Sequence, residues 1–345
     1  MPEQIAVIGA GSWGTALAVV LAKNGHTVEL ISNNPEQIEE IRETGENSAY
    51  LPGVKVPSGI YVHGDMEESV KKAGIVLLGI PSHAVREVVR QIKPYLNRDK
   101  IVVNAAKGLE ENTMLRMSQV FEQETGGTLQ DNFVVLTGPS HAEEVGREMP
   151  TAIVAAGRKR MIAEKVQDIF MSPNFRVYTN PDIVGVEIGG ALKNVIAICT
   201  GVAEGLGLGD NSKAALITRG LAEIARLGVK LGANPLTFAG LTGIGDLIVT
   251  CTSPHSRNRK AGLAIGRGKS VPEAIASVKM VVEGFRTTRA AWQLAREQGV
   301  VMPITEKAYE VLYEGRNPRE AVYELMTREK KHEIEDVISS TYPDW

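Results

Sequence analysis

The stretch QIAVIGAGSWGTALAVVLAKNG, residues 4–25, constrains the fold more than any other part of the chain. The apolar run 4–10 reads as a strand. It breaks at Gly9-Ala10-Gly11-Ser12-Trp13-Gly14 and reopens as an apolar helix over 15–25 that stops at Gly25, where helices commonly end. Gly-x-Gly-x-x-Gly between a strand and a helix is the first turn of a dinucleotide-binding βαβ unit. Gly9 permits the tight turn, Gly11 lets backbone approach a pyrophosphate, and Gly14 lets the helix pack close on the strand. The helix N-terminus then offers unpaired N–H groups and partial positive charge to the phosphates. A glycine-rich turn with no ligand is the alternative reading.

Further short apolar runs follow at 27–32, 75–80, 101–106, 133–138, 151–157 and 175–180. Continuous apolar runs of this length suit strands covered on both faces. Helical segments fit between them, 83–96 among them. The alternation predicts a Rossmann-like, doubly wound parallel sheet. From residue 183 strands stop and helical patterns take over, at 183–205, 212–228, 258–266, 287–298, 303–314 and 318–327. Asn317 and Pro318 supply an N-cap and a first helical residue for the last of them. A chain of 345 residues exceeds one ordinary core. The expected division is an α/β unit over 1–182 and an all-α unit over 183–345.

Net charge is −3 and aromatics are 5% of residues, so nothing points to a nucleic acid or an anionic membrane. Cys199 and Cys251 lie in apolar runs outside any ligand set. They read as buried hydrophobes in a reducing cytoplasm, and no metal site is expected. The start lacks the basic flank of a signal peptide. The apolar run 183–203 carries Glu187, Lys193 and Asn194, which suits a buried helix better than a membrane span.

Ligands of open parallel sheets bind beyond the carboxyl ends of the strands. Ser32-Asn33-Asn34 ends the second strand, where Asn33 and Asn34 can meet a ribose hydroxyl or a phosphate, or simply form an Asx turn before Pro35. Lys107 stands where it can meet an anionic substrate. Gly138 and Ser140 offer donors at a helix start, with a plain N-cap as the alternative for Ser140. His83 and His141 are acid/base candidates by residue type.

Lys193 lies in EIGGALKNVIAI, a segment apolar nearly all round. Burial there lowers its proton affinity and suits an acid/base, unless the side chain snorkels to the surface. Gly189 and Gly190 make room for a close neighbour. Asp246 is one acid within an apolar glycine-rich run and can orient a lysine or cap the next turn. Ser256-Arg257-Asn258 opens a helix as a phosphate cradle or a solvated basic turn. Glu283 precedes another helix, with capping as its alternative.

GAGSWGTALA, Lys107-Gly108, GPSHAEEV, GGALKN, GIGDL, HSRN and VVEGFRTT occur in that order. Over about residues 4–330 the chain resembles the NAD(P)-dependent sn-glycerol-3-phosphate dehydrogenases of the bacterial soluble type. The resemblance implies reversible reduction of dihydroxyacetone phosphate to sn-glycerol 3-phosphate for phospholipid synthesis, in a cytoplasmic homodimer. It implies Lys193 as general acid/base. It implies cofactor contacts at Ser12, Trp13, Lys107, Ala142, Arg257, Val281 and Glu283, beside the loop Gly9, Gly11 and Gly14. It implies substrate contacts at Lys107, Gly138, Ser140, Lys193, Asp246, Ser256, Arg257 and Asn258, and it demotes His141 to a neighbour. Family members often carry basic residues at the positions of Asn33 and Asn34, so NAD and NADP both stand as cofactors. The alternatives are a related two-domain dehydrogenase of hydroxy acids or sugar phosphates, and a non-catalytic dinucleotide-binding regulator.

Overall fold

The computed structural model describes residues 2–278, 280–330 and 332–333. The first half forms one eight-stranded sheet. Its strands are β1 (Gln4–Ile8), β2 (Thr27–Ile31), β3 (Ile60–His63), β4 (Ile75–Leu78), β5 (Ile101–Asn104), β6 (Phe133–Thr137), β7 (Thr151–Gly157) and β8 (Phe175–Asn180). The order across the sheet is β3-β2-β1-β4-β5-β6-β7-β8. The order reverses between β1 and β4, which opens a crevice at their carboxyl ends. Around it run α1 (Ser12–Lys23), α2 (Pro35–Thr44), α3 (Met66–Lys72), α4 (Val85–Ile92), α5 (Met117–Thr125), α6 (Ala142–Gly146) and α7 (Arg160–Phe170).

One part of the expected parallel sheet is reversed. β7 runs antiparallel to β6, pairing Thr137 with Val154, and β8 lies parallel to β7. The connection from β6 to β7 contains one helix of five residues, α6. Such a helix is ~7.5 Å long, too short for the crossover that a parallel return requires. A second difference is β3, which the apolar pattern missed. Its sequence IYVH alternates buried and less buried positions at the sheet edge instead of forming a continuous apolar run.

After β8 the chain is helical: α8 (Ile183–Gly205), α9 (Asp210–Lys230), α10 (Pro235–Phe238), α11 (Asp246–Thr252), α12 (Arg257–Gly266), α13 (Val271–Ser277), α14 (Glu283–Gln298), α15 (Pro303–Tyr313) and α16 (Pro318–Met326). Asn317 caps α16 through Arg319 N–H, with Pro318 at its first position as expected. α8 is apolar nearly all round because it is the axis of this half, packed against α9, α11, α12 and α14. It is long and apolar enough to cross a membrane, yet it lies buried inside the protein. Asp182 caps its start through Gly185 N–H and accepts from Thr237 Oγ1 and Asn234 N–H.

The two halves are joined by buried polar contacts. Glu187 of α8 accepts from Ser118 N–H (2.7 Å), Ser118 Oγ (2.6 Å) and Arg116 Nη1 (2.6 Å) at the start of α5. Gly189 and Gly190 bring α8 against the sheet. A Cβ on Gly189 would stand 2.5 Å from the Thr242 carbonyl oxygen, and one on Gly190 would stand 3.0 Å from Thr137 Oγ1. Gly189→Ala is therefore expected to cost about 1–3 kcal/mol through overpacking. Because Thr242 leads into Asp246, turnover should fall as well. Thermal melts together with kcat check both effects, and an unchanged melt with unchanged turnover would contradict the close fit.

Candidate active site

The dinucleotide loop occupies the crevice. Gly9 has φ +105°, a conformation that favours glycine. A Cβ on Gly14 would lie 1.9 Å from the Gly9 carbonyl oxygen, so only glycine lets α1 seat on the loop. Gly11 faces open space, and α1 begins at Ser12 without a side-chain cap. Its first N–H groups thus remain available to an anion, as a pyrophosphate requires. Trp13 Nε1 is buried without a partner among the described residues. Ser12 Oγ donates to the Tyr50 carbonyl (2.6 Å) and lies 3.6 Å from Met280 Sδ. Ala142 starts α6 and is buried against the same core as α1. These features fit a dinucleotide.

Asn33 is exposed at the end of β2. Asn34 caps α2 by accepting from Glu36 N–H (2.9 Å) and Gln37 N–H (3.3 Å), so the Asx-type reading holds for its carbonyl oxygen. Val281 is exposed just before α14. Glu283 does not cap its own helix. Its carboxylate accepts from Ser82 Oγ (2.8 Å) and Ser82 N–H (3.2 Å), bridging the end of β4 to α14.

The chemical centre lies beyond the ends of β5 and β6. Lys193 is 5% exposed and does not snorkel to solvent. Its Nζ donates to Asp246 Oδ1 and to Thr250 Oγ1 (2.8 Å). Asp246 is 1% exposed, and its other oxygen accepts from Lys107 Nζ (2.9 Å). One carboxylate from α11 therefore joins a lysine of the sheet half to a lysine of α8. Asp246 does not cap a turn; it follows a single turn of π-helix, Leu241–Gly245, which aims it at α8. Such turns recur at functional sites.

Burial pushes the Lys193 ammonium well below the ordinary lysine range, to about 7. Asp246 opposes that fall and Lys107 adds to it. Burial raises Asp246, but Lys107 and Lys193 outweigh it and hold the carboxyl below its usual range. The centre thus keeps an anion between two cations, one of which exchanges protons near neutrality.

Lys107 Nζ also donates to the Gly138 carbonyl (3.0 Å). Ser140 Oγ donates to the same oxygen (2.9 Å), and the N-cap position of α6 belongs to His141. Ser256 caps α12 through Arg259 N–H (3.2 Å). Arg257, at the first position of α12, is half-buried and has no hydrogen bond or ion pair among the described residues. A guanidinium free of protein partners beside a helix N-terminus suits a phosphate. Asn258 has a different setting. Its Nδ2 donates to Asn194 Oδ1 (2.8 Å) and its Oδ1 accepts from Gly284 N–H (2.9 Å), tying α8, α12 and α14 together.

His141 is held low by burial and by the nearby Lys193 ammonium. Its Nε2 lies 3.5 Å from the Val249 carbonyl, with no hydrogen-bonded carboxylate among the described residues to orient it. His83 is also lowered, chiefly by burial and then by Arg286. Neither histidine touches the lysine–aspartate centre. Thr250 and Asn194 were missed from the sequence. Thr250 carried one signal: it lies four residues after Asp246, on the same helical face.

Family comparison decides what this arrangement belongs to. Residues 4–163 match the model of the NAD-dependent glycerol-3-phosphate dehydrogenase N-terminus, and residues 182–323 match that of its C-terminus. The chain belongs to the NAD-dependent glycerol-3-phosphate dehydrogenase family. A relative from Pelotomaculum thermopropionicum, named as an NAD(P)+ glycerol-3-phosphate dehydrogenase, is 60% identical over 98% of this chain and 97% of its own. One of the same name from Moorella thermoacetica is 58% identical over 97% of this chain and 99% of its own. The crystal structure of glycerol-3-phosphate dehydrogenase from Coxiella burnetii superposes with TM-score 0.90 at 38% identity, covering 95% of this chain and 99% of that one. Membership makes this chain an oxidoreductase using NAD or NADP, with the fold that the alternation of strands and helices foretold.

Proposed function

We propose that Lys193 is the general acid/base in the reversible conversion of dihydroxyacetone phosphate to sn-glycerol 3-phosphate. The observation that carries this reading is the buried Lys193 ammonium, sharing Asp246 with Lys107 at the carboxyl edge of the sheet. NAD(P)H, when bound at Gly9, Gly11, Ser12, Trp13, Gly14, Asn33, Asn34, Lys107, Ala142, Arg257, Val281 and Glu283, supplies the hydride. Protonated Lys193 polarises the C2 carbonyl oxygen and gives up its proton as the alkoxide forms. In the oxidation, neutral Lys193 takes the C2 hydroxyl proton. Asp246 and Thr250 hold Nζ in place, and Lys107 adds positive potential beside the substrate. Arg257, with Ser256 and the start of α12, receives the phosphate. Gly138, Ser140 and Asn258 complete the substrate contacts. The division of labour is a dinucleotide half, 1–182, and a substrate half, 183–345, of which Met1, Lys279, Lys331 and 334–345 lie outside the described residues. The family resemblance extends this reading to a cytoplasmic homodimer, joined through its helical half, that feeds glycerophospholipid synthesis.

Initial rates with dihydroxyacetone phosphate and NADH or NADPH test the reading. Turnover is the expected result. Turnover of a non-phosphorylated keto acid, with none of dihydroxyacetone phosphate, would move the chain to a related dehydrogenase class. Cofactor binding without any turnover would leave a regulator.

Acidity follows from the same centre. Reduction requires protonated Lys193 and oxidation requires the neutral amine. With the group near 7, kcat/KM for reduction should fall as pH rises through that region, and kcat/KM for oxidation should rise through it. Profiles in both directions measure this. Limbs that rise or fall together would exclude Lys193 as the group observed.

A further inference from the structure

In a Rossmann-like sheet the end of the second strand meets the adenine-ribose, and the charge there separates NAD from NADP, which carries an added 2′-phosphate. In this chain that turn is fixed by a continuous chain of buried hydrogen bonds. Ser32 Oγ donates to Gln37 Oε1 (2.5 Å) and accepts from Asn34 N–H (3.1 Å). Gln37 Nε2 donates to the Ala10 carbonyl (2.7 Å) and to Asn47 Oδ1 (3.1 Å). Asn47 Nδ2 donates to the same Ala10 carbonyl (2.9 Å) and to Thr15 Oγ1 (2.8 Å). Ser32, Gln37, Asn47 and Thr15 are all buried. The ribose turn and the pyrophosphate loop therefore form one rigid unit, and what the turn presents is set in advance of binding.

It presents no cation among the described residues. Asn34 Oδ1 is engaged by the α2 N–H groups, which leaves its Nδ2 outward, and Asn33 is exposed without a partner among the described residues. α2 carries Glu36, Glu39, Glu40 and Glu43 against Arg42, whose Nε is committed to the Val62 carbonyl (2.8 Å). His63, ending β3, faces Glu29 (3.3 Å) and the Asp65 N–H (3.2 Å). Lys71 and Lys72 pair with Glu67 and Glu68 on their own helix. Lys55 lies beyond the far end of α2, where its backbone forms a β-bridge with Glu46. Two amides can satisfy ribose hydroxyls. A 2′-phosphate would meet Glu36 in the first turn of α2, with no guanidinium among the described residues to receive it, and like charges repel.

We propose that this enzyme selects NADH over NADPH, with Asn33 and Asn34 as the specificity-determining residues. The proposal rests on the dehydrogenase reading for its kinetic arm only. The test measures binding of NADH and of NADPH to the full chain by calorimetry, and kcat/KM for each with dihydroxyacetone phosphate, in the wild type, Asn33→Arg and Asn33→Arg/Asn34→Arg. Wild type should favour NADH by at least about tenfold, the scale of one missing charge-assisted contact. Asn33→Arg breaks no protein contact, so it should fold normally and move the ratio toward NADPH by a similar factor. That gain should shrink with added salt, as for a rim charge. Asn34→Arg removes the α2 cap, so the single variant is the decisive one. A wild type that binds NADPH as well as NADH overturns the preference. A ratio unmoved by Asn33→Arg overturns the assignment. Absence of turnover with both cofactors overturns the dehydrogenase reading instead, while the calorimetric ratio still decides the preference.

Discussion

Lys193→Ala should lower kcat for dihydroxyacetone phosphate reduction by about a thousandfold, the range of a lost general acid that also polarises the carbonyl. Cofactor affinity should change little, because Lys193 is not among the residues assigned to the cofactor. Folding should survive as well. Asp246 keeps Lys107 as its partner when Lys193 is gone, so no buried charge is left alone. Lys193→Arg should not restore activity. A guanidinium stays protonated, so it cannot serve as the base in the oxidation, and its fork does not fit a site shaped for one nitrogen. Single-turnover reduction and calorimetry with NADH separate the two parameters. Near-normal turnover in a folded Lys193→Ala protein would end the assignment.

Removing the anion should do more damage to the fold. Asp246→Ala leaves two ammoniums, Lys107 and Lys193, in a buried site with no counter-ion. Breaking a buried pair in this way costs about 3–5 kcal/mol. The sign with pH follows from proton uptake. The folded-state affinity of Lys193 is already below its unfolded value, and losing Asp246 lowers it further. The unfolded variant binds more protons than the folded one from that lower value upward, whereas wild-type Lys193 stays charged until about 7, so the stability deficit shrinks as pH rises toward about 7 and levels off above it. Thermal melts across pH check this, and a deficit that grows with pH would contradict it. Asp246→Asn keeps the shape and isolates the charge. Its reduction limb should move to lower pH, while the oxidation retains a neutral lysine at pH 7.

Much of the architecture was legible because each clue was local. Gly9, Gly11 and Gly14 follow an apolar strand within a few residues. The apolar surroundings of Lys193 foretold a buried helix whose bounds, Ile183–Gly205, match the pattern. What stayed hidden depended on contacts between distant residues. Lys107 and Asp246 are 139 positions apart, so their pairing has no sequence period to reveal it. The links from the Asn258 amide across three helices were hidden as well, because only the packed structure brings Asn194 and Gly284 to it. The reversal at β7 hinged on how far the short α6 can travel. α10, α11 and α13 have seven residues or fewer, too few for a helical period to stand out.

The shared carboxylate has a consequence for assembly. Ribosomes finish Lys107 long before they reach Asp246, so the sheet half first holds its lysine against water. Lys193 and Asp246 both belong to the helical half, and Lys107 reaches Asp246 only when the sheet half closes on it. Closure brings the Lys107 ammonium to the site, and that charge lowers the proton affinity of Lys193 further. Whatever prises the seam apart would hydrate Lys193 and return it toward an ordinary, permanently charged amine. The enzyme would then fall silent as a base before any of its helices melted.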